Sequence, residues 1–323
     1  MKGRQEWRDA CVVRTDPVTP EVRLIEFEVE GDLPPYTPGS HINVAVSIDG
    51  REAVRSYSCL PTLPGRIRIA VKHHDKSRGG SRFMWALAAG AMLRVTVPEN
   101  RFELSWRAPA YLLVAGGIGI TPILGMAMAL AARKRPVRLL YAVKTREQAA
   151  FGEDLSATLG EDFAVFAGGE GRRIDLAAEI AALAPEGELY ICGPLRMLDA
   201  AKQLWGEAGR PMGRLRYEVF GDSGAERDEA FTVRVLGDTS ELTVLPGKCL
   251  LDTLEEAGVD TISDCRRGEC GLCAVDVVEL TGRIDHRDVF FSEAEKRENK
   301  RLCTCVSRVT GGGVVIDTGH RIS

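Results

Sequence analysis

The rhythm of hydrophobic positions changes twice along this chain. From residue 9 to 106, apolar and polar residues alternate over short runs. Val22-Arg23-Leu24-Ile25-Glu26-Phe27-Glu28-Val29 has the strand-like alternation of a half-buried segment. Val12-Val13-Arg14 precedes it, set apart by Asp16-Pro17 and Thr19-Pro20. Further strands are predicted over 41–48, 54–59 and 67–72, with turns at Pro34-Pro35, Asp49-Gly50 and Pro64-Gly65. Many short strands joined by Gly and Pro turns predict an antiparallel β-barrel. One short helix is predicted within it, over 82–89.

From 107 to 222 the pattern is different. Tyr111-Leu112-Leu113-Val114-Ala115 is a continuous apolar run, the mark of a central parallel strand. It predicts a helix over 122–134, a strand over 137–143, a strand over 189–192 and a helix over 194–207. Strands alternating with helices predict a doubly wound α/β domain with a parallel sheet. The small, polar segment 221–228 then reads as a linker. In the last part, 230–323, Phe231 to Leu236 and Leu242 to Leu245 flank Gly237-Asp238 as a hairpin, and a short helix follows over 250–257. The expected organisation is therefore multidomain: a barrel (1–106), an α/β domain (107–222) and a small α+β domain (230–323).

Composition narrows the class. The chain has 323 residues, too many for one ordinary core, with 45% hydrophobic and 27% charged residues. A net charge of −4 and the lack of a long Lys/Arg cluster argue against nucleic acid. The first ten residues are polar and carry no apolar signal-peptide core. The longest apolar stretch, 111–132, contains Gly and Pro122 and reads as strand then helix, not as a membrane span. A cytoplasmic location is the expectation.

Nine cysteines in a reducing compartment point to metal or redox chemistry rather than disulfides. Five lie between Cys265 and Cys305. Cys265, Cys270 and Cys273 have the spacing C-x4-C-x2-C of plant-type [2Fe–2S] proteins, whose two irons need four thiolates. Gly268 and Gly271 let the loop backbone curl close to a negative core so that N–H groups can stabilise it. Zinc knuckles pair C-x2-C with a second close pair, which this spacing lacks. The fourth ligand is left open by spacing: Cys303 has 29 residues between it and Cys273, and Cys305 has 31. Alternate residues of one strand share a face, so both are candidates.

Two other segments carry weaker signals. Ala115-Gly116-Gly117-Ile118-Gly119-Ile120-Thr121-Pro122 joins the apolar strand to a helix, a turn that admits a phosphate but also serves as a tight structural turn. Cys192-Gly193-Pro194 ends a second strand, at the sheet edge where α/β domains bind ligands. In the barrel, Arg55-Ser56-Tyr57-Ser58 ends a strand, Ala70-Val71-Lys72 ends another, and Gly79-Gly80-Ser81 opens the helix. Arg55 can donate to a flavin carbonyl or phosphate, Tyr57 can cover a ring face and Ser81 can bind a phosphate. Each also has a plain structural use, as surface Arg, core Tyr and helix cap.

Taken in order, R-x-Y-S, G-G-x-G-x-T-P, C-G-P and the C-terminal cysteine set resemble the phthalate dioxygenase reductase family, which includes the vanillate demethylase reductases. The resemblance covers nearly the whole chain. It implies an FMN-binding barrel, an NAD-binding α/β domain, a β-grasp ferredoxin domain, and electron delivery from NADH to a Rieske-type oxygenase. It places Arg55, Ser56, Tyr57, Ser58, Ala70, Lys72, Gly80 and Ser81 at FMN. Gly117, Thr121, Cys192 and Pro194 fall at the nicotinamide nucleotide, and Phe220 shields the flavin. It selects Cys305 as fourth ligand, because the family's cysteine precedes V-S-R, here Val306-Ser307-Arg308. The family's H-R-D is His286-Arg287-Asp288, and His286 is expected to be structural.

The implied function is that of a monomeric reductase component. NADH gives a hydride, the cluster takes one electron at a time, and a flavin mediates between them. The alternatives are an FAD-containing reductase for another acceptor and a non-catalytic iron–sulfur carrier or redox sensor. Arg172 and Arg173 are candidates for a 2′-phosphate contact or for simple surface charges, with NADH the expected donor.

Overall fold

The computed structural model describes residues 6–48, 50–74, 79–220, 228–238 and 240–319. Residues 221–227 of the expected linker 221–228 and Asp49 of the expected turn lie outside these residues. The chain divides into two compact units, Met1–Phe220 and Gly221–Ser323.

The first unit opens with β1 (Trp7–Thr19), β2 (Val22–Val29), β3 (Ser40–Ile48), β4 (Arg51–Ser58) and β5 (Arg66–Lys72). Helix α1 (Gly80–Ala86) and strands β6 (Met92–Thr96) and β7 (Glu99–Asn100) complete this part. Among the described residues the sheet order is β4-β3-β6-β1-β2-β5, antiparallel throughout, with β7 paired to β3. The bridge Leu60↔Arg68 brings the chain leaving β4 to β5 and so draws the two edges together. Ile25, Phe27, Ile42, Ile67 and Ile69 fill the interior, each fully buried. A buried aliphatic side chain of this kind contributes about 1.5–3 kcal/mol.

The alternation in β2 serves two cores. Ile25, Phe27 and Val29 face the barrel interior. Val22 and Leu24, on the other face, pack with Ala70 against the α/β part. Glu26 shares that outer face and is 3% exposed, held by Arg66 and Arg68 at 2.7 and 2.8 Å. β1 runs through Pro17, where the sequence predicts a break. At that point β1 pairs only with β2, since its contacts with β6 stop at Cys11, so the missing N–H of Pro17 removes no second ladder bond.

The α/β part comprises β8 (Tyr111–Gly116), α2 (Ile120–Ala132), β9 (Val137–Val143), α3 (Gly152–Leu159), β10 (Phe163–Ala167), α4 (Leu176–Ala182), β11 (Glu188–Cys192), α5 (Leu195–Glu207) and β12 (Leu215–Glu218). The strands are all parallel in the order β10-β9-β8-β11-β12. Every residue of β8 is buried, as its unbroken apolar run requires. α2 starts at Ile120, two residues before the predicted Pro122, because Gly117–Gly119 form a 3-10 turn that feeds straight into it. Tyr190 ties the connecting segment to this sheet: its hydroxyl accepts the Ser105 N–H and donates to Glu188, each at 2.8 Å.

The second unit contains β13 (Phe231–Val235), β14 (Glu241–Val244), α6 (Leu250–Glu256), β15 (Ala274–Asp285), α7 (Glu293–Glu298), β16 (Arg301–Cys303) and β17 (Arg308–Asp317). Its mixed sheet has the order β14-β13-β17-β15-β16, with the predicted hairpin β13–β14 at one edge. β17 runs parallel to β13 and antiparallel to β15. Phe231, Val233, Leu250, Leu254, Leu302 and Ile316 form its core, with α6 laid across the sheet. Asp228 enters this unit as an anchor: Arg287, 5% exposed, pairs with it and with Asp285, each at 2.8 Å. Arg308, 3% exposed, lies 3.7 Å from Asp228 and donates to the carbonyls of Glu229, Leu245 and Lys248.

Glu26 gives the barrel an acid dependence. Burial alone would raise its pKa, but the hydrogen bonds from Arg66 and Arg68 outweigh this and hold it below the ordinary 4.5. The stabilisation is therefore complete above 4.5 and is lost as pH falls through the lowered folded value. Glu26→Gln should flatten the acid limb of the barrel's urea-midpoint profile. An unchanged slope in this variant would remove Glu26 as its cause.

Candidate functional site

Two places in the molecule gather the predicted site residues. The first lies where the barrel wall meets the carboxyl edge of the parallel sheet. The strand order reverses between β8 and β11, so the chain leaves these neighbours in opposite directions and a crevice opens at their ends. A cavity of about 300 Å³ occupies this place. Gly117, Tyr141, Pro194 and Met197 line it from the sheet, and Val22 and Lys72 from the barrel.

The glycines here set the spacing of the two strand ends. A Cβ on Gly119 would stand 2.2 Å from the Cys192 carbonyl oxygen, a backbone atom that cannot rotate away. The first turn can therefore rest directly on the end of β11. Gly117, at φ +54°, has open space where a Cβ would point and faces the cavity. Thr121 is placed differently from the expectation. It is 2% exposed, its hydroxyl donates to the Ile118 carbonyl at 3.0 Å, and it shapes the turn from behind rather than lining the cavity. Cys192 is fully buried in the interior cluster beside the same turn.

The barrel residues fall into three groups. Arg55 and Tyr57 share one face of β4, and Ser56 is on the other, where its hydroxyl donates to Asn43 at 2.5 Å. The Arg55 side chain lies against Gly80. Next to it, the Ser81 hydroxyl is buried without a hydrogen-bond partner, an orphan polar atom that an anion such as a phosphate would satisfy. Tyr57 packs against the barrel core, and burial pushes its hydroxyl up to about 12, so it stays neutral. Ala70 is buried on the face turned to the α/β part, while Lys72 pairs with Glu21 at 3.1 Å on the cavity wall.

Glu218 is the functional-site residue that the sequence analysis misses. It ends β12, is 2% exposed, and accepts a hydrogen bond from Ser58 Oγ at 3.4 Å. This links the end of the R-x-Y-S segment to the end of a sheet strand. The available signal is a charged residue closing a strand two positions before Phe220, at the edge that binds ligands in such sheets. Phe220 itself packs partly buried against the interior shared by barrel and sheet. Arg172 sits over the Phe166 ring at 5.8 Å, and neither Arg172 nor Arg173 lines the cavity.

The second place is the loop from Cys265 to Cys273. Cys265 Sγ accepts three backbone N–H groups, from Arg267, Glu269 and Cys270, each at 3.4 Å. Burial pushes the Cys265 thiol up on balance, and these donors oppose that rise. Three N–H groups converging on one sulfur stabilise a thiolate there. Arg266, at φ +52°, fastens the loop to α6 by pairing with Asp252 at 2.8 Å and with Glu255. Gly268 and Gly271 have φ of +73° and +72°. A Cβ on Gly271 would meet the Phe290 ring at 2.3 Å, so this aromatic seals the loop only because residue 271 has no side chain.

Four of the thiols stand as two pairs, with Cys303 packed beside the second. Cys265 and Cys270 interact side chain to side chain on the loop. Cys273 and Cys305 have their sulfurs 3.1 Å apart. Among the described residues no three His, Cys, Asp or Glu side chains gather as one metal ion would need. Two pairs suit a two-iron core, with one pair for each iron. Leu251 and Phe291 enclose the buried side of this arrangement. The cradle of N–H donors, the paired thiols and the glycine-lined turn all fit a [2Fe–2S] cluster.

Cys303 and Cys305 do not alternate along one strand as the sequence suggests. β16 ends at Cys303, and the next three residues turn, with Val306 and Ser307 N–H donating to the Cys303 carbonyl at 3.3 and 2.9 Å. Both thiols reach Cys273. Hydrogen bonds from Cys303 first and Cys305 second pull Cys273 down to about 3, and both donors are pushed up in turn. The N–H of Gly268, from the ligand loop, favours the thiolate of Cys305. His286 is structural: its Nε2 lies 3.1 Å from Asn299 Oδ1. Asp288, fully buried, accepts the Phe291 N–H at 2.9 Å and so holds the aromatic pair beside the cysteine loop.

These sites define the class: an NAD(H)-dependent flavin iron–sulfur oxidoreductase. Models of an oxidoreductase FAD-binding domain, an oxidoreductase NAD-binding domain and a 2Fe-2S iron-sulfur cluster binding domain match residues 9–104, 113–203 and 233–310. The heme-dependent oxidative N-demethylase beta subunit of Ectopseudomonas mendocina is 34% identical over 312 residues, covering 96% of this chain and 98% of the relative. The solved structure of phthalate dioxygenase reductase, described as a modular structure for electron transfer from pyridine nucleotides to [2Fe–2S], aligns with TM-score 0.79 and 30% identity. It covers 96% of this chain and 98% of that one. The full-length CYP116B46 structure from Tepidiphilus thermophilus aligns with TM-score 0.68 and 33% identity, and this chain spans 42% of its length. The chain belongs to the phthalate dioxygenase reductase family.

The close contact at Gly119 yields a test. Gly119→Ala must push the turn off the end of β11, and an error of this size at a positioning element costs roughly tenfold or more. The expected result is at least that rise in KM for NADH in a ferricyanide assay, with bound flavin retained. A variant with unchanged KM would show that the turn does not set nucleotide geometry.

Proposed function

We propose that this protein takes electrons from NADH through FMN and a [2Fe–2S] cluster to a Rieske-type non-haem iron oxygenase, acting as a cytoplasmic monomer. The observation that carries this reading is the pair of built sites in one chain, a nucleotide crevice against a flavin-type barrel and a two-pair thiol cradle. When bound, the cofactors supply the redox chemistry, a hydride in and single electrons out.

The chain's own residues bind and orient. Arg55 and the orphan Ser81 hydroxyl hold the FMN phosphate, with Gly80 leaving room. Tyr57, Ser58 and Ala70 border the ring system, while Ser56 braces β4 through Asn43 on the strand's other face. Lys72, paired with Glu21 on the cavity wall, balances charge between FMN and nucleotide. Gly117 and Pro194 line the nicotinamide nucleotide's bed, while Thr121 and Cys192 support it from behind. Glu218 and Ser58 fix the end of β4 against the end of β12, and Phe220 covers the flavin face until nucleotide arrives. Cys265, Cys270, Cys273 and Cys305 hold the cluster.

The acceptor has a second reading. One relative is named for a heme-dependent N-demethylase, and a similar segment makes up 41% of an intact self-sufficient cytochrome P450 monooxygenase. A haem oxygenase is therefore the competing partner. Co-purification from source cells separates the two: a captured partner with a His-ligated [2Fe–2S] EPR signal supports the Rieske reading, and one with a Soret band supports the haem reading.

Three further measurements test the remaining assignments. Anaerobic NADH should bleach the flavin, and its failure to do so would leave only an electron carrier. Mass spectrometry of the released flavin should give FMN rather than FAD. Cys273→Ser should lose the cluster while NADH still bleaches the flavin, so reduction of the partner stops but hydride transfer does not. Loss of flavin bleaching in the folded variant would contradict separate roles for the two sites.

A further inference from the structure

The notch between the ends of β8 and β11 is filled by a side chain that the sequence analysis does not single out. A Cβ on Gly193 would stand 2.3 Å from Met197 Cε, and one on Gly116 would stand 2.8 Å from the same methyl. The two glycines lie against each other, since the Gly193 Cβ position is also 3.0 Å from Gly116 Cα. Pro194 Cδ is 2.5 Å from where the Gly116 Cβ would be. The strand ends thus present bare backbone, and the Met197 methyl, beside Pro194, rests on it. Met197, Gly116 and Pro194 all line the cavity.

The helix explains this placement. α5 buries Leu198, Ala201 and Trp205. Met197 extends the Ala201–Trp205 stripe by one turn, four residues before Ala201. Helical side chains lean toward the helix N-terminus, and β11 ends at Cys192, before α5 begins at Leu195. The stripe therefore runs off the sheet at this turn, and Met197, only partly buried, meets the strand ends. Backbone and proline ring make up the rest of the notch and are rigid. A thioether on an unbranched chain can follow the outline of a flat ring and makes favourable contacts with aromatic systems.

We propose that Met197 is a binding residue for the nicotinamide ring: its thioether is the floor on which the ring rests, and it sets the depth of the ring in the crevice. This rests on the reading of the crevice as the bed of the nicotinamide nucleotide. The step it serves is one hydride passing from the ring to the flavin, so the electron pair leaves with the hydrogen, the nicotinamide is oxidised and the flavin is reduced. A ring that sinks into a deeper crevice stands farther from the flavin, and transfer depends steeply on that placement.

The full-length holoprotein provides the test. With Met197→Ala, the limiting rate of anaerobic flavin bleaching at saturating NADH should fall roughly tenfold, the low end of what a lost apolar contact in a pocket is worth. Affinity for NAD+, read by equilibrium titration of the oxidised protein, should weaken by a similar factor. Affinity for ADP-ribose, which has no nicotinamide, should not move, and bound flavin should be retained. Met197→Leu, of similar volume, should recover most of both losses.

An alanine variant with wild-type rate and wild-type NAD+ affinity would overturn the proposal. So would tighter NAD+ binding in that variant, since the thioether would then occupy the ring's own place. Equal weakening toward NAD+ and ADP-ribose would make Met197 a support for the whole crevice and not for the ring, and would overturn it as well. Wild-type protein whose flavin is not bleached by NADH would instead remove the nucleotide reading itself.

Discussion

Concentrated negative charge on sulfur, inside a small domain and away from bulk water, is the constraint around which the second unit is arranged. An isolated anion in such a place is costly, and only donors fixed in advance can offset that cost. The loop supplies them from its own backbone, three on Cys265 alone. Its left-handed residues, including the non-glycine Arg266, are what turn those N–H groups inward. The strain at Arg266 is held by its two carboxylate partners on α6. Helix, loop and sheet are thus tied to one electrostatic requirement.

The first unit meets a different requirement, that of bringing two planar ring systems into close register at a sheet edge. Backbone atoms do most of this. The end of β8 rests on the end of β11 at Gly119, and the barrel supplies the opposite wall through β2 and β5. Because β2 gives one face to the barrel interior and the other to the α/β part, the wall cannot shift without disturbing both cores. The buried Ser58–Glu218 hydrogen bond adds a polar latch at the same seam. Rigid placement of this kind is what a hydride acceptor needs from its protein.

Much of this was legible in the sequence, for identifiable reasons. The apolar run 111–115 leaves little choice but a central strand, and C-x4-C-x2-C has few other uses. Elements that depend on distant partners were not legible. The passage of β1 through Pro17 is permitted by an open strand edge that no local pattern reveals. β15 and β17 carry Glu, Gly and Thr through much of their length and are defined mainly by pairing with each other. The same holds within the sites. Thr121 looks like a cavity residue by motif, yet its hydroxyl is taken by Ile118, and Glu218 is marked out only by the hydrogen bond it accepts from Ser58 at the end of β4.

Asp228 bears on how the iron–sulfur unit can be handled as a separate piece. Two arginines, each almost fully enclosed, share its carboxylate, and a chain begun at 230 would leave them with one acid fewer. An enclosed guanidinium deprived of its counter-charge is among the more damaging losses a small domain can suffer. Fusions and excised fragments should accordingly be cut upstream of Asp228. By the same reasoning, the peptide that joins this module to whatever precedes it has a fixed mooring at its downstream end, and its usable length is counted from there.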